Sequence, residues 1–399
     1  MEAISECRFL PTRPAVFIGA SRYRRHSYGA NHPLSIPRVS LTFDLINAYG
    51  ALSRAEYRVG RISSETELCQ FHTPDYVRAL KRCEALGGVS DDYRLRHNIG
   101  NLENPWFPGF FSTPALATGS SMQGAEEVLR GRHAFSPAGG MHHARPDRAQ
   151  GFCYFNDAVL AVQRLRQAGL RVLYVDIDAH HGDGVEEAFS ADPEVFTFSL
   201  HMDTGYAYPF RGGAVTDQGA SAGEGTCLNV PLPRATNDSE YALVFGTLWP
   251  AVLGVFRPQA VVLQAGTDVL SGDPLGKLRV STQQFLAVVA RVVQDSPRLL
   301  VIGGGGYHPL LLARCWTGVW ALLSGRELPV AIPEQGQTLL REAGWEEDDD
   351  DDKDKDKEGA RPDLLIRSRL DADYRGPVRS EVMALLDQVR QAHPLMGNL

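Results

Sequence analysis

The stretch DIDAHHGDG, residues 176–184, directly follows the apolar run VLYV at 172–175. It places three carboxylates and two imidazoles within nine residues, at the end of a strand-like segment. Asp and His are the side chains that bind divalent metals, orient a base and activate water. A second histidine pair, His142-His143, lies upstream in the sequence AGGMHHA. The two clusters together predict a metal-dependent hydrolase.

Further apolar runs of strand length alternate with helical patterns along the chain. Val, Ile and Leu dominate most of these runs, as expected for parallel strands that are covered on both faces. The segments 156–168 and 282–294 have apolar residues at helical spacing. This alternation predicts an α/β fold with a parallel sheet and helices on both sides. The predicted strands are 15–18, 172–177, 195–200, 260–265 and 299–302.

Polar or glycine-rich segments follow four of these predicted strands. The run at 172–177 leads into the Asp/His cluster, 195–200 into His201, 260–265 into GTD, and 299–302 into GGGGY. Open α/β sheets bind ligands beyond the carboxyl ends of their strands. We therefore expect the four segments to meet at one edge of the sheet.

The composition excludes some classes of partner. Of the 399 residues, 43% are hydrophobic, which is enough for a large core. The formal net charge is -8, and the stretch 346–358, with ten acidic and three lysine residues, accounts for -7 of it. Self-repelling charge without apolar residues predicts disorder in that stretch. The remainder shows no basic face, which argues against a nucleic-acid partner.

No segment predicts export or membrane insertion. The N-terminal sequence lacks an apolar core of signal-peptide length. No window approaches the roughly 18 uninterrupted apolar residues of a membrane span. The six cysteines are scattered without a CxxC pair, so reduced thiols are expected. We therefore expect a cytoplasmic protein with no membrane partner.

Eight stretches of the chain resemble motifs of the histone deacetylase family, most closely its bacterial acetoin utilization branch. The resemblance implies an α/β, single-domain arginase–deacetylase fold: a parallel eight-stranded sheet flanked by helices on both faces. The stretches are NHPLSIPR (31–38), AGGMHHA (138–144), GFCYFND (151–157), DIDAHHGDG (176–184), FSLH (198–201), GEGTCLNVPLP (223–233), QAGTD (264–268) and GGGGYHP (303–309).

On this resemblance, the catalytic domain spans residues 15–325. Residues 1–14 form an N-terminal segment before it. Residues 326–399 form a C-terminal extension that contains the disordered acidic segment 346–358. The stretch SEVMALLDQVRQ at 380–391 predicts a terminal helix in that extension.

The resemblance implies a zinc-dependent lysine deacetylase, which hydrolyses acetyl-lysine to lysine and acetate with metal-activated water. Its implied metal ligands are Asp178, His180 and Asp268. Two carboxylates and one imidazole neutralise Zn²⁺ and leave a position open, and the same ligands also suit Fe²⁺. The resemblance further implies a monovalent cation, usually K⁺, held largely by backbone carbonyls. The implied residues of that cation site are Asp176, Asp178, His180, Ser199 and Leu200.

Two Asp–His pairs are implied beside the metal. His143 would be the principal general base and His142 its electrostatic partner. Asp183 would hydrogen-bond His143, and Asp176 would hydrogen-bond His142, which fixes each tautomer and raises basicity. Tyr307, after four glycines, would donate a hydrogen bond to the amide carbonyl and then to the oxyanion.

The acyl-lysine side chain is expected to enter an apolar tunnel lined by aromatic faces. Tyr208 stands where many relatives carry Phe, so it adds a hydroxyl. Glu103 falls where relatives carry an Asp that grips the substrate backbone. Arg38 resembles an Arg that lines an internal cavity beneath the metal. The implied substrate-binding residues are Gly151, Phe152, Tyr208, Leu275, Glu103 and Gly305.

Three alternative functions stay open at this stage. A small-molecule amidohydrolase of the same fold, such as an acetylpolyamine deacetylase, would differ in the loops around the tunnel. An arginase-like two-metal hydrolase would need more His and Asp ligands, and its usual GGDH string is absent from the sequence. A non-catalytic acyl-lysine-binding module would be expected to lose a ligand, a histidine or the tyrosine, and none is lost.

The expected partner is an acetylated protein. The branch resemblance suggests acetyl-CoA synthetase, in acetate or acetoin metabolism. The sequence leaves open a preference for acyl groups longer than acetyl, the metal used in the cell and the oligomeric state.

Overall fold

The computed structural model describes residues 13–24, 28–29, 32–343 and 362–394. Eight strands form one sheet in the order β2-β1-β3-β8-β7-β4-β5-β6, and every neighbouring pair is parallel. The predicted α/β fold class is therefore confirmed. The strands are β1 (Ala15–Gly19), β2 (Tyr57–Val59), β3 (His133–Ser136), β4 (Val172–Asp176), β5 (Val195–Met202), β6 (Cys227–Leu232), β7 (Ala260–Gln264) and β8 (Leu299–Ile302).

Helices cover both faces of this sheet, as predicted. Successive strand residues point to opposite faces, so Phe17 packs in the larger core with α1, α8, α9 and α10, whereas Val16 packs in the smaller core with α5, α6 and α7. The α-helices of the described residues are α1 (Arg38–Ala48), α2 (Glu65–Leu68), α3 (Pro74–Leu86), α4 (Asp91–His97), α5 (Ser112–Leu129), α6 (Asp157–Arg166), α7 (Asp183–Phe189), α8 (Asp238–Phe256), α9 (Thr282–Asp295), α10 (Pro309–Ser324), α11 (Glu334–Ala343), α12 (Pro362–Arg367) and α13 (Ser380–Ala392).

The segment after α10 contributes to the larger core. Leu340 of α11, Leu365 of α12 and Val382 and Leu386 of α13 are all buried there. Helix α13 covers the position of the predicted terminal helix. The acidic segment 346–358, predicted to be disordered, lies outside the described residues, as does the N-terminal segment up to residue 12.

Among the described helices, α8 is long and apolar enough to cross a membrane by length and composition, with 19 residues and a mean hydropathy of 1.3. Half of this apolar window is buried inside the protein. Leu248 and Trp249 pack in the larger core, and buried Glu240 accepts a hydrogen bond from Arg379 at 2.7 Å. These contacts are those of a core helix, so α8 is weak evidence for a membrane.

The strand order determines where the site forms. Strands β3, β8, β7, β4 and β5 are consecutive neighbours in the sheet. Because they are parallel, their carboxyl ends lie at one edge. The loops that follow them carry the histidine pair, the glycine run, Asp268, the Asp/His cluster and Tyr208.

Candidate active site

Three side chains form a group that suits a metal ion: Asp178, His180 and Asp268. All three are buried, and their ligand atoms lie within 4.8 Å of one another. The Nδ1 atom of His180 lies 2.9 Å from Oδ2 of Asp268 and 3.3 Å from Oδ1 of Asp178. Two carboxylates and one imidazole around one point fit Zn²⁺ or Fe²⁺. This is the same trio that the sequence resemblance implied.

Backbone and amide groups fix the two carboxylates. The backbone N–H of Ala179 donates to Asp268 at 2.8 Å. Asp178 accepts hydrogen bonds from the Nε2 of Gln264 and the backbone N–H of Gly305, each at 2.7 Å. A Cβ on Gly305 would collide with the Asp268 carboxylate, so glycine is required there. Gly305, predicted to bind substrate, lies directly against the metal-ligand group.

Burial and mutual charge shift the pKa values of this group. Burial lowers the pKa of His180, but the carboxylates of Asp268 and Asp178 outweigh it and raise that pKa to about 10. Burial and the charge of Asp178 raise the pKa of Asp268 to about 7. A metal ion that binds His180 would therefore have to displace the proton of its imidazolium.

We expect zinc affinity to rise with pH between about pH 6 and 9 because the incoming ion must displace the proton of His180. A proton bound only in the metal-free site weakens metal binding as the pH falls. Calorimetric zinc titrations in buffers of different ionisation enthalpy would count the protons released, with one or more expected per zinc. Affinity that stays constant with pH, with no proton release, would contradict this account of the site.

The two predicted Asp–His pairs are present as geometry. The Nδ1–H of His142 donates to Asp176 at 2.8 Å, and the Nδ1–H of His143 donates to Asp183 at 2.8 Å. The Nε2 atoms of the two rings lie 3.0 Å apart. Each carboxylate can only accept, which assigns the Nδ1 protons and leaves Nε2 of a neutral imidazole as an acceptor. Tyr174 further fixes Asp176 by donating its hydroxyl at 2.7 Å.

The two histidines have opposite pKa shifts. Burial opposes protonation of His142, yet the charges of Asp176 and Asp178 outweigh it and raise the pKa to about 9. Burial and the positive charge of His142 lower the pKa of His143 to about 4. At neutral pH, His142 is therefore charged and His143 is neutral. Of the two, His143 is the one able to accept a proton.

The sequence interpretation missed residues that hold these pairs. Arg145 and Gln150 each donate to Asp183 at 2.6 Å. The side chain of Asn156 donates to the carbonyls of His142 and Ala144, each at 3.1 Å. The neighbouring carboxylate at 157 accepts from two backbone N–H groups of the AGGMHHA loop. The motif GFCYFND contains this Asn-Asp pair, so its polar end was the available signal.

Tyr307 faces the same pocket as the metal-ligand group. The pocket measures about 20 Å³, and its lining includes His143, His180 and Phe152. Burial raises the pKa of Tyr307 well above 10, so the phenol keeps its proton and can donate it. The Tyr307 backbone N–H donates to Asp273 at 2.7 Å, which fixes the residue.

Arg38 holds the backbone of the glycine run at 303–306 by hydrogen bonds. Its Nη1 donates to the carbonyls of Gly304 at 2.8 Å and Gly306 at 3.1 Å. It lines both the site pocket and a neighbouring cavity of about 90 Å³. This is the position expected of an Arg that lines an internal cavity.

Of the other predicted substrate-binding residues, Gly151 and Phe152 line the pocket, and the ring of Tyr208 packs against Gly151 and His143; we call this part of the pocket its mouth. The rings of Phe152 and Tyr307 lie 6.0 Å apart, and those of Tyr208 and His143 lie 4.9 Å apart. Leu275 is 36% exposed, and its backbone N–H is bound to the same Asp273 carboxylate that holds Tyr307.

Glu103 joins Tyr208 to Gly151 at the mouth of the pocket. Its carboxylate accepts from the hydroxyl of Tyr208 at 2.9 Å and from the backbone N–H of Gly151 at 2.8 Å. The added hydroxyl at position 208 thus has a partner within the protein.

The residues of the predicted monovalent cation site lie on β4, β5 and the loop after β4. Asp176 pairs with Ser199 across the β4–β5 register, and Leu200 follows on β5. Within the described part of the chain, the buried Oγ of Ser199 has no hydrogen-bond partner. An orphaned buried oxygen beside carboxylates fits a cation with hard oxygen ligands.

Comparison with known proteins adds independent support. A family model described as "Histone deacetylase domain" matches residues 32–323. The chain is 38% identical over 299 residues to Histone deacetylase 8 of Xenopus tropicalis, covering 74% of this chain and 80% of that protein. It is 39% identical over 312 residues to Histone deacetylase 2 of Oryza sativa, covering 77% of this chain and 60% of the rice protein.

Solved structures agree with this. The crystal structure of an HDAC homologue from Aquifex aeolicus matches with a TM-score of 0.89 and 40% identity, covering 94% of this chain and 100% of that chain. A structure of an HDAC homologue complexed with SAHA gives the same values. The family match spans well over half of the chain and includes the metal-ligand trio, both histidines and Tyr307. The chain therefore belongs to the histone deacetylase family of metal-dependent hydrolases.

Proposed function

We propose that the chain is a protein lysine deacetylase that hydrolyses the ε-acetamide of acetyl-lysine, with Zn²⁺ held by Asp178, His180 and Asp268. One observation carries the proposal: the imidazole of His143, which is hydrogen-bonded to Asp183, and Tyr307 line the same small pocket as the ligands Asp178 and His180. Hydrolysis of an amide requires a proton acceptor for water and a donor for the oxyanion.

The protein's own groups divide the chemistry between them. When bound, the metal would act as a Lewis acid and lower the pKa of water. Nε2 of His143 would take a proton from the attacking water in place of the hydrogen bond that it accepts from His142, while Asp183 stabilises the imidazolium that forms. The phenol of Tyr307 would donate to the carbonyl oxygen as it becomes an oxyanion. The C–N bond then breaks, the amine receives a proton from imidazolium, and lysine and acetate leave.

A K⁺ ion behind the metal ligands forms part of this proposal. Its support is the unpartnered Oγ of Ser199 beside Asp176, at the end of two paired strands. A cation there would offset the charge of Asp176, and so weaken the field that holds a proton on His142.

The protein substrate is proposed from resemblance. GFCYFND and DIDAHHGDG resemble the acetoin utilization branch, which favours acetyl-CoA synthetase acetylated on its active-site lysine. Incubation of acetylated synthetase with the metal-loaded enzyme should remove that acetyl group, as followed by peptide mass spectrometry.

We expect metal-stripped protein to release acetate from an acetyl-lysine peptide only after zinc is added back, and a hydroxamate to block the release. Acetylspermidine serves as the comparison substrate because it tests the small-molecule alternative. Turnover of acetylspermidine without turnover of peptide would replace the proposal with a polyamine deacetylase. If acetate is released from neither substrate, the result would count against hydrolysis of acetyl groups altogether.

A further inference from the structure

Protein donors fully occupy the carboxylate of Glu103. Its Oε1 accepts from the backbone N–H of Gly151 at 2.8 Å and from the hydroxyl of Tyr208 at 2.9 Å. Its Oε2 accepts from Nδ2 of Asn98 at 3.1 Å and from Nδ2 of Asn104 at 3.3 Å. A carboxylate offers about four lone-pair sites. Four internal donors therefore leave no site for the backbone of a substrate.

These bonds tie Tyr208 to the turn that carries Phe152 in the pocket lining. Gly151 precedes Phe152, whose φ of 68° is left-handed and must be held by its surroundings. Gly151 packs so closely between His143 and Tyr208 that a Cβ there would meet both rings. Without the Glu103 carboxylate, the turn at 151–152 and the ring of Tyr208 would lose their common anchor.

We propose that Glu103 and Tyr208 form a rim latch, defined as the Glu103 carboxylate with the Tyr208 hydroxyl and the Gly151 N–H. The latch rests on the deacetylase function proposed above. Both residues position the mouth, and Glu103 does not bind the peptide backbone of the substrate. Recognition then depends on the acyl-lysine side chain that passes through the mouth, and little on the backbone around it.

Two substrates separate the latch from a backbone grip. One is an acetyl-lysine peptide, and the other is N-butylacetamide, which has the side chain without any peptide backbone. Glu103→Ala removes both acceptor oxygens, so the latch and the hydrogen bonds from Asn98 and Asn104 are all lost. We expect kcat/KM to fall about 10-fold on both substrates. The ratio of the two values should stay within about 2-fold of that of the wild type.

Tyr208→Phe removes the other half of the latch. We expect it to lower kcat/KM on both substrates. The kcat/KM of the double variant should be no lower than that of the less active single variant, because the two side chains act through one bond. Tyr206→Phe is the matched control, since Tyr206 lies in the same loop and donates to the carbonyl of Leu232 at 2.9 Å. A loss confined to the peptide substrate, or no loss on either, would overturn the latch.

Unfolding tests the bond without turnover. The shifts in urea midpoint for Glu103→Ala and Tyr208→Phe should sum to more than the shift of the double variant. If the wild type releases acetate from neither substrate, the proposed function fails and this unfolding cycle alone decides the latch. Additive midpoint shifts would then reject it.

Discussion

Asp268→Asn is expected to lower acetate release from an acetyl-lysine peptide by about 1000-fold or more, since the metal contributes several kcal/mol to the barrier. The amide has the shape of the carboxylate, and its oxygen can still accept the N–H of Ala179. The substitution removes the negative charge that would neutralise part of the charge of the metal and that raises the pKa of His180. Steady-state kinetics together with the zinc content of the purified protein would measure both effects.

A control and a rescue sharpen this result. Asp192→Asn makes the same change at the other end of the strands, just before β5. There the Asp192 carboxylate accepts from the backbone N–H of Glu194 at 2.9 Å. Its activity should match that of the wild type. Zinc added after chelation should restore the wild type but not Asp268→Asn. Full activity of Asp268→Asn with zinc bound would remove Asp268 from the ligand set.

Every strand that was predicted from the sequence is buried on both faces. The runs at 172–177 and 299–302 are mostly aliphatic because helices cover both sides of β4 and β8. The strands that were missed include both edges of the sheet, β2 and β6. β2 has two partly exposed residues and one exposed residue, and β6 contains Asn229 and Pro231, so neither shows a continuous aliphatic run. β3 is central but short, and it begins with a buried histidine.

Some active-site residues could likewise be predicted from the local sequence, and others could not. Asp178 and His180 could be predicted because they are two residues apart at the end of a strand. Asp268 required the family resemblance, since only the β4–β7 pairing brings it beside them. Gln150 and Arg145 were missed because their role depends on contacts with Asp183, 33 and 38 residues away. A polar residue whose partner is distant in sequence gives no local pattern.

His143→Ala is expected to lower kcat by about 100- to 10,000-fold, the range for loss of a general acid–base group. His143 is the neutral imidazole of the pair, so His142 cannot replace it as the acceptor of a proton from water at neutral pH. Binding of a hydroxamate should be largely kept, because the metal ligands are untouched. Single-turnover kinetics would measure the loss in the chemical step, and inhibitor titrations would measure the binding of the hydroxamate.

His142→Ala supplies the opposing comparison, because it removes a positive charge 3.0 Å from the acceptor nitrogen. That charge is one cause of the lowered pKa of His143, so its loss must raise that pKa from about 4. A base acts only when unprotonated, so a higher pKa moves the acidic limb of the kcat profile to higher pH. We therefore expect His142→Ala to be active at alkaline pH with its acidic limb shifted upward. An unshifted limb, or a larger loss than in His143→Ala, would reverse the two assignments.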